Sequence, residues 1–122
     1  MSWKPRWIRK FPLRLMLGLL TVVLLAGCAG GDDARKRLNE SDGRYKEGAS
    51  FLETDQQRAF VAFQKSIELN PDNFEAHYAL GSIYFKRKQL AEAEREFRAL
   101  QNANPDSGAA RKLLASVSSQ RR

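Results

Sequence analysis

The sequence predicts an all-α fold, a short α-solenoid of two helix hairpins closed by a C-terminal capping helix. Three observations carry that expectation. Ala59, Phe63, Asn70, Pro71 and Asp72 reappear 34 residues later as Ala93, Phe97, Asn104, Pro105 and Asp106. Self-similarity at a fixed period of this size marks arrays of stacked supersecondary units. Between the repeated positions, apolar residues recur at the three-and-four spacing of a helix with one buried face. Pro71 and Pro105 each close such a run, because proline cannot continue the hydrogen-bond ladder and restricts the residue before it.

Charge and cysteine content narrow the function classes. The 122-residue chain carries a formal net charge of +7. Lys4, Arg6, Arg9, Lys10 and Arg14 precede Cys28 without a single acid, and the remainder holds 16 Lys and Arg against 14 Asp and Glu. The basic character therefore belongs to the leader, which argues against nucleic acid as a partner of the domain. Cys28 is the only cysteine, so no disulfide forms within the chain.

The leader reads as an export signal. A basic segment with Trp3 and Trp7 is followed by an uncharged, almost wholly apolar run from Leu15 to Ala26. Twelve helical residues rise about 18 Å, short of the roughly 30 Å hydrocarbon thickness of a bilayer. A positive stretch before an apolar run of this length fits a signal peptide better than a spanning helix. Leu25-Ala26-Gly27-Cys28 then resembles the lipobox of bacterial lipoproteins at all four positions. That resemblance implies a signal peptide over residues 1–27, cleavage before Cys28, and a cysteine lipidated with acyl chains such as palmitate. It also implies a place in the cell envelope. The residue after the cysteine is Ala29 rather than Asp, which in that family favours the outer membrane, facing the periplasm, where the host has one. The competing reading is an uncleaved anchor with Cys28 as a buried thiol.

Residues 28–41 are expected to hold the lipidated cysteine, a short tether and a possible helix extension. Ala29-Gly30-Gly31-Asp32-Asp33 is small and then acidic, which suits a flexible linker with Asp32 or Asp33 as the cap of a following helix. Ala34, Leu38, Ser41, Tyr45, Ala49 and Leu52 would form the inward stripe of that helix. Asn39, Ser41, Asp42 and Gly43 leave two readings open: one helix from Ala34 to Leu52, or a break near Asp42.

Residues 42–106 hold the two hairpins, about 42–73 and 74–107. In the second, Asn73 is a candidate cap and Leu80, Ile83 and Tyr84 face inward, with Gly81 making room opposite Ala93. Its other helix runs from about Gln89 to Ala103 and buries Leu90, Ala93, Phe97 and Leu100. In the first hairpin, Gly48 permits close approach of the second helix, which is the reason to place glycine inside a helix at a cost of about 1 kcal/mol. Residues 107–122 form the capping helix and basic tail, with Ala110, Leu113, Leu114 and Val117 buried. Terminal units must cover the exposed core of such an array.

Leu80, Gly81, Tyr84, Ala93, Phe97 and Pro105 match the tetratricopeptide pattern L-G-x2-Y, A-x3-F and P. The mature chain thus resembles a small tetratricopeptide lipoprotein. Glu47 and Arg44 depart from that pattern in the first repeat, as suits a terminal unit. The resemblance implies a concave groove lined by Asp42, Tyr45, Ala49, Leu52 and Glu53 in the first repeat. Glu75, Tyr78, Ser82, Phe85 and Lys86 follow in the second, and Lys112 and Ser116 on the cap. Tyr45, Leu52, Tyr78 and Phe85 would then make an apolar strip that the core does not need, unless the N-terminal helix folds back over it. The Lys and Asn with which some members clamp a chaperone carboxylate are replaced here by Tyr45, Ala49 and Ala79.

No catalytic constellation is evident, no metal site, and no cofactor is implied. His77 is the only histidine and reads as a packed residue, and Glu92, Glu94 and Glu96 spread around a helix surface. Lys86-Arg87-Lys88 reads as a helix end complementing the dipole, or as a contact to lipid headgroups. The expected function is a membrane-tethered protein-binding module, an adaptor or assembly factor taking a peptide segment in its groove. The alternative is a self-associating scaffold, a homo-oligomer at the membrane.

Overall fold

The computed structural model describes residues 13–122, with side chains from Gly30 onward. Residues 1–12 and the Cys28 side chain lie outside the described residues, and with them the expected signal peptide and lipidation. Among the described residues five helices follow one another: α1 (Leu13–Phe51), α2 (Gln56–Leu69), α3 (Phe74–Lys86), α4 (Leu90–Ala103) and α5 (Gly108–Arg121). The chain divides into two units, Met1–Lys36 and Arg37–Arg122, and α1 runs from the first into the second. The helical array belongs to the second unit.

Helix α1 corrects the expectation for its own start. Gly30 to Asp33, expected as a flexible tether, lie inside the helix, and neither Asp32 nor Asp33 caps it. The break considered near Asp42 is absent too. No proline stands between Leu13 and Phe51, and each interior glycine costs only about 1 kcal/mol against alanine, so nothing in the run forces a stop. The inward stripe also differs. Ser41 and Gly48 are buried and Tyr45 half-buried, but Leu38 and Ala49 are exposed and the helix ends at Phe51.

The hairpins close through glycine–phenylalanine contacts. A Cβ at Gly48 would stand 2.7 Å from Cε1 of Phe63, and one at Gly81 would overlap the ring of Phe97. Gly81 therefore makes room for Phe97 rather than for Ala93, because the ring, one turn further along α4, reaches back across the helix pair. Phe63 and Phe97 are each 1% exposed and centre two core clusters. The first joins Ala59, Phe63, Leu80 and Ile83; the second joins Ala93, Phe97 and Val117. Burying each ring contributes on the order of 1.5–3 kcal/mol.

Caps and turns follow the sequence closely. Asn73 accepts from the Ala76 amide at 3.1 Å, Ser107 from Ala110 at 3.2 Å, and Asp55 from Arg58 at 3.0 Å. Asn70 Oδ1 accepts from the Asp72 amide, setting the turn through Pro71. Between α3 and α4, Lys88 N–H donates to Phe85 and Gln89 N–H donates to Tyr84, with Lys88 at φ 62°. That is a Schellman ending with lysine in the left-handed position usually given to glycine. A buried polar knot joins the first three helices: Asn73 Nδ2 donates to both Ser41 Oγ and Ser66 Oγ at 3.1 Å.

Candidate functional site

At the N-terminal end of α3 the array leaves an open cleft of about 320 Å³. Three aromatic side chains line it: Tyr45 from α1, and Phe74 and Tyr78 from α3. Leu100, on the buried face of α4, contributes an apolar wall, and Ala109 on α5 is small enough to leave the opening clear. Asn104 and Ser107 supply polar edges, and Glu75 is the single charged residue of the lining.

Each side chain has a local reason for its place. Phe74 and Glu75 are the first two residues of α3, fixed there by the Asn73 cap. Helical side chains lean toward the helix N-terminus, so Phe74 projects past the end of α3 and is 52% exposed. Tyr78, one turn on, is 49% exposed. Tyr45 is anchored differently: its ring packs 5.7 Å from that of Phe63, tilted by 39°. The site thus combines one fixed aromatic and two free ones.

The groove residues expected from sequence divide into two groups. Tyr45 and Tyr78 come together in the cleft with Glu75. Ala49, Leu52, Ser82, Phe85, Lys86 and Lys112 do not line it. Leu52 packs against the first core cluster and Phe85 against the second. Tyr45 also packs on the first, so three of the four strip residues serve the core and only Tyr78 is free of it. With only two hairpins, side chains beside the groove are drawn into covering the small core. Ser82 Oγ donates to the Tyr78 carbonyl at 2.8 Å, and Lys86 and Lys112 point into solvent. Sequence reading missed Phe74, Leu100, Asn104, Ser107 and Ala109. Phe74 was the findable one, as a large apolar residue immediately after a cap.

His77 sits one residue from Tyr78 but is turned inward and 7% exposed. Its Nδ1 lies 2.8 Å from Glu96 Oε2 and its Nε2 lies 2.8 Å from the Pro71 carbonyl. Both partners accept, an arrangement that favours the protonated ring over the neutral one. The hydrogen bond to Glu96 raises its pKa above the usual 6.5, against the opposing effect of burial. The arrangement ties α3 to α4 and to the loop before α3. It is structural.

The repeat pattern and the paired helices have a counterpart among known proteins. The family model described as tetratricopeptide repeat matches residues 50–117. The chain belongs to the tetratricopeptide-repeat family. The match begins in the last turn of α1 and ends within α5, so in this tetratricopeptide protein it spans α2, α3 and α4 entirely. Tetratricopeptide repeats are typically non-catalytic interaction modules, and the fold suggests protein partners. No similar curated protein was found.

Proposed function

We propose that this tetratricopeptide protein is a membrane-tethered adaptor or assembly factor of the bacterial envelope, holding a peptide segment of a protein partner in the cleft at the start of α3. The supporting observation is the pair Phe74 and Tyr78, half exposed beside the packed ring of Tyr45. Large aromatic side chains on an accessible concave site are the usual anchors of binding energy. Leu25-Ala26-Gly27-Cys28 supports the tether, and two or more acyl chains on Cys28 would hold the protein firmly where one would not.

A photoreactive phenylalanine analogue placed at Tyr78 tests the cleft in intact cells. A discrete adduct is expected there and not from the same analogue at Val61, which is exposed on α2. Equal adducts from both positions would remove the cleft from consideration. The tether is tested separately with Cys28→Ser, which should release the protein from membranes or leave a longer precursor. Unchanged fractionation and size would end that part of the reading.

A further inference from the structure

We infer that the cleft receives a cationic side chain, the Lys or Arg of a partner's peptide segment, held between aromatic rings and the Glu75 carboxylate. This rests on the reading of the cleft as the partner site, and it adds the chemistry of what enters. Three aromatic residues and one carboxylate line a space that no cation among the described residues lines. Aromatic faces attract ammonium and guanidinium groups within about 6 Å, most strongly where water is partly excluded. Glu75 makes no ion pair among the described residues, so its charge is uncommitted. Along the chain, charges of both signs stand beside the lining residues without entering the lining, Arg44 and Lys46 on either side of Tyr45 and two carboxylates besides. Asp42 precedes Tyr45 by about one turn of α1, and Asp106 immediately precedes Ser107. Along α5 the nearest cations, Arg111 and Lys112, stand two and three residues beyond Ala109 and do not line the cleft.

Size points the same way. About 320 Å³ is at the small end of pockets that enclose a whole ligand, so the cleft has room for one or two side chains. A long, unbranched cationic side chain can lay its methylene stem along Leu100 and Tyr45 while its head meets Glu75.

The test uses the full-length protein in an uncharged maltoside detergent with three fluorescent nine-residue peptides. They are identical except for a central Arg, citrulline or Glu; citrulline keeps the shape of Arg without its charge. The Arg peptide is expected to bind at least tenfold tighter than the citrulline peptide, and the Glu peptide weakest. Raising the salt should narrow the gap. In Glu75→Gln the Arg and citrulline peptides should converge to within about threefold, and Tyr78→Ala should lose all binding while helical content stays. Citrulline or Glu binding as tightly as Arg overturns the cationic occupant and leaves the cleft as partner site. Binding that survives Tyr78→Ala, or no binding by any peptide, overturns both. Displacement of the Arg peptide by phosphocholine at equal concentration assigns the cleft to a lipid headgroup and overturns the protein partner.

Discussion

Ser41 and Ser66 bond reciprocally to each other's main chain: each hydroxyl donates to the other residue's carbonyl at 2.9 Å. The oxygens themselves lie 3.1 Å apart, and Asn73 donates one amide hydrogen to each. All three residues are buried, and none of their polar atoms is left without a partner. The knot is therefore closed, and removing any member leaves a buried group unsatisfied. Ser66→Ala should destabilise the fold by about 1–3 kcal/mol. Asn73→Ala should cost more than Ser107→Ala, because Ser107 is a cap without such a knot and its loss costs about 1 kcal/mol. Urea unfolding followed by circular dichroism compares the two, and equal costs would deprive the knot of any contribution.

The two glycines that face phenylalanine rings predict one and the same response. Gly81→Ala drives a methyl group into the Phe97 ring and should cost about 1–3 kcal/mol, as overpacking of a full core does. Gly48→Ala meets Phe63 in the same way and should fall in the same range. A neutral or stabilising Gly81→Ala, as helix propensity alone would give, would show that the rings move aside.

Lys88→Gly should stabilise the protein. A side chain in the left-handed region costs roughly 1–2 kcal/mol, which glycine avoids. The single exposed hydrogen bond from Lys88 to Gln120, at 3.2 Å, offsets little of that gain. For a domain of this size, about 1 kcal/mol corresponds to a rise in Tm of about 4–8 °C. An unchanged or lower melting temperature counts against a strained turn.

His77 makes stability depend on pH in a definite direction. Its pKa is raised in the folded state, so its contribution is fully present below the usual 6.5. That contribution is lost as pH rises through the folded value. Urea midpoints measured from pH 5.5 to pH 9 should therefore fall across the neutral range. His77→Gln should flatten that fall, and a parallel profile in the variant would place the titration elsewhere.

How much of this was legible depends on distance along the chain. The Asn73 cap and the Pro71 and Pro105 endings follow from residues within one repeat, and sequence reading places them; it places the close approach at Gly81 too, but opposite Ala93 instead of Phe97. Ser41 is different: its partners lie 25 and 32 residues away, so periodicity shows that it faces inward but not why a serine belongs there. The groove was legible only in part, for a related reason: Tyr45, Glu75 and Tyr78 of the expected set share the cleft. A register assigns a helix face, but whether Leu52 or Phe85 is free depends on how far the neighbouring core reaches over it. The continuity of α1 through Gly30 and Gly31 went unread because glycine pairs are weak stops when no proline follows.

The buried knot acquires another meaning when the two repeats are laid over each other. Gly48 and Gly81 align the first helices of the hairpins and Phe63 and Phe97 the second, so Ser41, Ser66 and Asn73 correspond to Phe74, Leu100 and Ser107. Those three line the cleft. One set of repeat positions is therefore sealed by small hydrogen-bonding side chains in its first copy and held open by a large ring in its second. The two copies thus differ at the same positions: hydrogen bonds close them in the first, and the second leaves them open to solvent.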